Sequence, residues 1–293
     1  MSARAPESQR GAWAALAALS LIWSYNWIVM KQALAYAGPF TFSALRYVGG
    51  SAVLFLLLLA RRERPPPPPF WPTLGIGLTQ TAGFQALVQW ALVRGGAGKT
   101  ALLAYTMPFW ALALAWPLLG ARPNARQWQA TALAAAGLLL VIAPWRGVGT
   151  LPSVLLALAG GLSWGTGTVL AKRLFERYPQ QSLLGVSAWQ MLYGTLLLVL
   201  LAAVIPQPPV QWSAPLLGAL AYNVLLASGL GWSMWLLVVR RLPAQVAGLT
   251  SLAIPLMGVL LAWLILHERP GRIELAGIAL IAAALLRLRR AAV

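Results

Sequence analysis

The sequence predicts an all-α membrane protein with ten transmembrane helices, arranged as two inverted five-helix repeats. The composition, the spacing of the apolar runs and an internal repeat support this fold class. Of the 293 residues, 60% are apolar and 9% are charged, and the mean hydropathy is +0.73. A soluble domain has about 25% charged residues, so this chain lacks the polar surface that water requires.

Apolar runs that are long enough to cross a bilayer recur along the whole chain. A transmembrane helix needs about 20 apolar residues, and the first run is long enough to favour an uncleaved helix over a signal peptide. The connections are short, and the longest contains Pro65 to Pro69, which favour a stiff spacer. The ten predicted spans are 11–32, 40–60, 72–93, 99–119, 127–144, 152–174, 182–204, 214–238, 244–266 and 272–289.

The basic residues predict that both termini lie in the cytoplasm. Lys and Arg number 15 on the side of the N-terminus and 6 on the opposite side, and Arg46 lies inside the second span. Membrane proteins concentrate Lys and Arg in their cytoplasmic connections. We therefore expect a multi-pass protein of the cell inner (plasma) membrane.

The residue types exclude several functions. The net charge of +17 is scattered between apolar runs instead of forming a patch, so we expect no nucleic-acid partner. The chain has no Cys, no Asp and one His, whereas hydrolytic or metal-assisted chemistry needs several such groups. We expect no enzyme activity, no cofactor and no metal, and a lipid bilayer and a small molecule as partners.

An internal repeat divides the chain into residues 1–147 and 148–293. Trp23 and Lys31 match Trp164 and Lys172 at one offset of 141 residues. Five spans in each half is an odd number, so the second half enters the membrane from the opposite side, as in transporters with a substrate site between inverted halves. Further pairs, at offsets up to 147, are Gly50 with Gly194, Trp90 with Trp235, Pro108 with Pro255, and Arg122-Pro123 with Arg269-Pro270.

Several of these segments resemble a known family of transporters. They are Leu21 to Lys31 and its repeat Leu162 to Lys172, then Leu45-Arg46-Tyr47, Trp189-Gln190-Met191 with Gly194, and Leu266-His267-Glu268-Arg269. Together they resemble the drug/metabolite transporter superfamily, EamA type, and most closely the YddG-type exporters of amino acids. The resemblance covers roughly residues 11 to 290. It implies two five-helix repeats and the export of aromatic and other amino acids.

Polar and aromatic residues inside the spans are the candidates for substrate binding. Trp23, Asn26, Trp27 and Met30 share one face of the first helix, and such residues are costly against lipid. We interpret this face as lining a cavity, with helix packing as the alternative. Further candidates are Tyr105, Trp110, Trp164, Thr168, Trp189, Tyr193 and Tyr222.

The third span carries Thr81, Gln85 and Gln89 at intervals of four residues, which puts them on one face of a helix. They could bind substrate or form hydrogen bonds between helices, and the sequence favours neither. Arg46 could pair with a substrate carboxylate, or it could reach the membrane surface or bond to helix carbonyls.

Pro108 and Pro255 occupy matching places in the fourth and ninth spans. A proline removes a backbone hydrogen bond and kinks a helix, and breaks at corresponding points of inverted halves mark binding regions or gates. We expect both helices to bend as gates.

The expected function is amino-acid export by alternating access, performed by a monomer. All five Glu residues lie outside the spans or at their ends, and a proton-coupled carrier needs an ionisable group at its site. We therefore expect facilitated diffusion. The alternatives are a carrier of sugar phosphates or nucleotide sugars, and an exporter of cationic drugs.

Overall fold

The computed structural model describes residues 6–61, 66–94, 97–146, 150–257, 261 and 271–292, and these contain helices and no strand. This confirms the all-α prediction. The predicted motif at 266–269 lies outside the described residues. The α-helices are α1 (Pro6–Ala33), α2 (Pro39–Ala60), α3 (Phe70–Ile76), α4 (Phe84–Arg94), α5 (Ala97–Ala104), α6 (Met107–Leu119), α7 (Ala125–Ile142), α8 (Leu151–Arg177), α9 (Leu183–Val204), α10 (Ala214–Tyr222), α11 (Gly231–Arg241), α12 (Ala244–Thr250), α13 (described over 253–257) and α14 (Arg272–Ala292).

Six helical segments in the described ranges are long and apolar enough to cross a membrane. This makes the chain a multi-pass membrane protein, whereas the count of ten spans and their inverted arrangement stay predictions. The six segments are Gly11–Met30, Pro39–Ala60, Leu102–Leu119, Leu151–Arg177, Leu183–Val204 and Ala214–Arg241.

Two π-helices lie at matching places in the two halves. Gly77–Gly83 joins α3 to α4, and Asn223–Leu230 joins α10 to α11. Their first residues are 146 positions apart, within the offsets of the sequence repeat. The i→i+5 hydrogen bonds of a π-helix widen the turn, so the direction of the following side chains changes.

Two further spans are interrupted by turns. A turn at 105–106 separates α5 from α6, and a turn at 251–252 separates α12 from α13. Pro108 is therefore in the first turn of α6, and Pro255 is the third residue of α13. A proline is tolerated there because its missing N–H would have no partner within the helix. The prediction of a proline kink inside one continuous helix is corrected accordingly.

The helices of the two halves pack against each other. α2 lies along α9, α1 along α11, and α8 against both α4 and α6. The centre of the bundle is aromatic, with Trp164, Trp232 and Trp235 all buried. α8 continues to Arg177, three residues beyond the predicted span 152–174.

α7 and α14, the last helices of the two halves, meet at a pair of glycines. A methyl group on Gly137 would lie 2.7 Å from the carbonyl oxygen of Gly277, and one on Gly277 would lie 2.6 Å from the carbonyl oxygen of Gly137. Small residues at such crossings let backbones approach closely and pack by van der Waals contact.

We expect Gly137→Ala to destabilise the fold, because the new methyl group must push α14 away. Overpacking of this kind costs about 1–3 kcal/mol, which thermal unfolding of the purified protein in detergent would detect. Gly218→Ala in α10 is the matched control, since no atom lies within 4 Å of the position of its added methyl group. Equal unfolding temperatures for the two variants would contradict the close contact.

Candidate functional site

A central cavity lies between helices of both halves. Its walls come from α1, α2, α4, α6, α8, α11, α13 and the end of α5, and about 650 Å³ of space is free of atoms when the part open to solvent is included. The residues that line it are Trp23, Asn26, Trp27, Met30, Arg46, Tyr47, Phe84, Gln85, Val88, Gln89, Ala104, Tyr105, Met107, Trp164, Trp232 and Ile254.

One wall of the cavity is aromatic. The ring of Trp164 lies 5.4 Å from that of Trp23, 4.8 Å from that of Phe84 and 5.2 Å from that of Trp232, measured between centroids. The edge-to-face contacts with Trp23 and Phe84 are the geometry that aromatic pairs prefer. Nε1 of Trp164 is buried and has no hydrogen-bond partner among the described residues.

A hydrogen bond joins α1 to the turn between α5 and α6. Nε1 of Trp27 donates to the hydroxyl oxygen of Tyr105 at 2.6 Å. Both side chains line the cavity, so this bond connects the interrupted span to the face predicted on α1.

Arg46 is a buried cation held by neutral partners. Its side chain is 4% exposed, Nε donates to Oγ of Ser228 at 3.3 Å, and Nη1 contacts Sδ of Met30 at 3.1 Å. The guanidinium carbon lies 4.6 Å from the ring centroid of Tyr47. No described carboxylate lies within ion-pair distance of Arg46.

Three side-chain amides also face the cavity. Nε2 of Gln85 and Nε2 of Gln89 both donate to Oγ of Ser43, each at 3.0 Å, and the Ser43 hydroxyl donates to the carbonyl oxygen of Pro39 at 2.7 Å. Asn26 is the third amide. Oδ1 of Asn26 and Oε1 of Gln89 are buried and have no hydrogen-bond partner in the described part of the chain.

The structure brings seven of the thirteen predicted binding residues to this cavity and leaves six elsewhere. The seven are Trp23, Asn26, Trp27, Arg46, Gln85, Tyr105 and Trp164, and the six are Thr81, Trp110, Thr168, Trp189, Tyr193 and Tyr222.

The predicted polar stripe of the third span is divided between two environments. Thr81 belongs to the π-helix and donates to Oε1 of Gln190 on α9 at 2.7 Å, whereas Gln85 and Gln89 follow on α4 and face the cavity. The wider π-turn changes the direction of the chain's side chains between position 81 and position 85. The spacing of four residues therefore does not keep them on one face.

Thr168 forms a similar contact between helices, because its hydroxyl accepts from Nε2 of Gln80 at 2.9 Å. The other four predicted residues lie farther out. Nε1 of Trp110 donates to Oγ1 of Thr106 at 3.3 Å on its own span. Trp189 packs on Tyr193 and Phe55.

Tyr222 lines a second, outer groove between α1 and α10, together with Tyr25 and Tyr36. Its hydroxyl donates to the carbonyl oxygen of Ile22 at 2.8 Å.

Residues at or beside the cavity that were not predicted as binding residues include Ser43, Tyr47, Trp232 and Ile254. Ser43 and Tyr47 could have been found, because they lie three residues before and one residue after Arg46 and share its face of α2. No comparable sequence pattern connects Trp232 and Ile254 with the other cavity residues. They reach the cavity through the packing of α11 and α13 from the other half.

Apolar helices around a cavity with a buried cation and aromatic walls suit a membrane transporter. The chain belongs to the EamA-like transporter family, whose model matches residues 10–143 and 151–289. This confirms the resemblance at the level of the family.

Named relatives are also transporters. The "Uncharacterized transporter YoaV" of Bacillus subtilis is 24% identical over 86% of this chain and 87% of its own length. The "Probable amino-acid metabolite efflux pump" of Salmonella typhimurium is 27% identical over 90% of each chain. A solved crystal structure shares the fold, with a TM-score of 0.80 and 22% identity over 96% of this chain and 97% of its own.

We expect Thr81→Val to lower stability and to leave ligand affinity unchanged. The change leaves Oε1 of Gln190 without its donor, and an unsatisfied buried polar group costs about 1–3 kcal/mol. Thermal unfolding in detergent measures this loss. Thr166→Val is the control, because that hydroxyl bonds only within α8, to Leu162. A loss of ligand affinity without a loss of stability would instead support Thr81 as a binding residue.

Proposed function

We propose that this chain exports amino acids, aromatic ones among them, across the inner (plasma) membrane by alternating access. The observation that carries the proposal is Arg46, a buried cation at the cavity with no described carboxylate partner. A charge in such a place is costly unless it is paired. A substrate carboxylate would supply the missing partner through charge-assisted hydrogen bonds.

The walls suit the rest of an amino acid. Tryptophan and tyrosine rings around the cavity offer flat apolar surfaces for an aromatic side chain, and the amides of Asn26, Gln85 and Gln89 offer hydrogen bonds for a polar head. The name of the Salmonella typhimurium relative, "Probable amino-acid metabolite efflux pump", supports the same substrate class.

Ten spans in two inverted halves would suit alternating access. The two π-helices start 146 residues apart, and both the fourth and the ninth predicted spans contain a turn followed by a proline. These shared features support duplication of one five-helix unit. The cavity would then open to either side as the halves rock.

Transport in this proposal is facilitated and not driven by protons. No described carboxylate or histidine lines the cavity, and a proton-coupled carrier needs a group whose pKa changes during the cycle.

A sugar-phosphate carrier is the second candidate. It would be expected to carry several cations at its site, whereas Arg46 is the one cation among the described lining residues.

Purified protein in liposomes should take up labelled L-phenylalanine down its concentration gradient, and a pH gradient alone should not drive accumulation. Arg46→Met should reduce uptake about 10- to 100-fold, because a hydrogen bond to a charged group contributes about 1.5–3 kcal/mol. Arg122→Met is the control, since Arg122 is exposed and far from the lining residues.

The same uptake assay should also be run with labelled sugar phosphates and cationic drugs. Uptake of sugar phosphates in place of amino acids would favour the second candidate and contradict the first. Accumulation of phenylalanine against its gradient, driven by pH alone, would contradict facilitated transport.

We also propose that the turns before Pro108 and Pro255 act as gates. Alanine at either position supplies an N–H that can bond to the carbonyl four residues earlier, so the two flanking helices could fuse. Spin-label distances across the cavity should then show a smaller opening for Pro108→Ala and Pro255→Ala. The chain has no cysteine, so labels attach only at introduced sites.

Pro117→Ala is the matched control, because Pro117 lies inside α6 and does not follow a turn between two helices. The same opening amplitude in wild type and in both gate variants would contradict the gate proposal.

A further inference from the structure

The direction of the two glutamine amides at the cavity follows from the serine between them. The Ser43 hydroxyl donates its single hydrogen to the carbonyl oxygen of Pro39, so toward Gln85 and Gln89 it can only accept. Both glutamines must therefore present their amide nitrogens to Ser43. Nε2 of Gln89 also lies 3.4 Å from the Pro39 carbonyl oxygen, which is an acceptor only.

This arrangement leaves amide oxygens as the open acceptors. Oε1 of Gln89, on a side chain that is 2% exposed, has no partner in the described ranges. Oδ1 of Asn26 on α1, on a side chain that is 5% exposed, also has no partner in the described ranges. Buried acceptors without donors are costly, so a ligand that brings N–H groups would be favoured here.

The serine that orients the glutamine amides lies near the buried cation. Ser43 and Arg46 are three residues apart on one face of α2, which is about 4.5 Å along a helix axis. Arg46, Asn26 and Gln89 also line the same cavity, so a cation suited to carboxylate and acceptors suited to ammonium share one site. This matches an α-amino acid, whose two charged groups are attached to the same carbon.

We propose that Asn26 and Gln89, with Gln85, form an ammonium-binding subsite beside Arg46, and that Ser43 positions the two glutamines. The proposal rests on the proposed function and deepens it, because it restricts the substrates to zwitterionic α-amino acids. The amide oxygens are neutral, so the ammonium subsite itself carries no charge that a proton would have to neutralise when the substrate has left.

The test compares three ligands with the same phenyl ring on the purified full-length protein. L-Phenylalanine has both charged groups, 3-phenylpropionate lacks the ammonium group and phenethylamine lacks the carboxylate. We expect phenylalanine to compete with labelled phenylalanine at least about 10-fold better than 3-phenylpropionate, since hydrogen bonds to a charged group are involved.

Variants distinguish the ammonium subsite from the carboxylate-binding Arg46. Gln89→Leu and Asn26→Leu should weaken phenylalanine binding about 10-fold and leave that of 3-phenylpropionate unchanged, whereas Arg46→Met should weaken both. Gln80→Leu is the matched control. Gln80 is also buried with an unpartnered Oε1, but it contacts Thr168 and does not line the cavity.

Ser43 is tested as a positioning residue. Ser43→Ala should lower the preference for phenylalanine over 3-phenylpropionate, and Ser43→Thr, which keeps the hydroxyl, should restore it. A general loss of structure would weaken both ligands together.

The outcomes distinguish the two proposals. If 3-phenylpropionate competes as well as phenylalanine, or if Gln89→Leu and Asn26→Leu weaken both ligands equally, the ammonium subsite is overturned while amino-acid export stands. If no amino acid binds or is transported, the proposed function is overturned and the subsite with it.

Discussion

Polar side chains inside this bundle must bond to one another, because the hydrocarbon core of a bilayer supplies no water. The third predicted span shows the effect. Gln80 bonds to Thr168 on α8, Thr81 bonds to Gln190 on α9, and the amides of Gln85 and Gln89 bond to Ser43 on α2. These bonds attach one span to three neighbours, and its position determines one wall of the cavity.

Arg46 differs from these side chains because it carries a charge, and this charge meets only neutral groups. Ser228, Met30 and the ring of Tyr47 orient the guanidinium group without neutralising it. The same absence of carboxylates from the described cavity walls bears on two questions. It favours an anionic group on the substrate, and it disfavours protons as the driving ion. Both inferences therefore rest on one feature of the electrostatics.

Regular helices alone would not produce this cavity. The π-helix Gly77–Gly83 places Thr81 against α9 while the glutamines that follow line the cavity, and the turn after α5 places the Tyr105 hydroxyl within reach of Trp27. Interruptions of this kind are tolerated at membrane depth where protein or a water-filled cavity surrounds them. Their matching positions in the two halves also provide places where the bundle could bend.

The sequence by itself determined the all-α membrane class, the transporter family and the face of α1 that lines the cavity. Composition and apolar periodicity are averages over many residues, and the face of a regular helix follows from its 3.6-residue period. It also identified Arg46, because a lone charge inside an apolar span is conspicuous. Only the tertiary structure decided that Thr81 and Thr168 join helices, that Trp110 and Trp189 lie away from the cavity, and that Ser43 orients two glutamines. Those outcomes depend on the π-turn at Gly77–Gly83 and on contacts between residues as far apart as 43 and 89 or 81 and 190, which form only when the helices pack together.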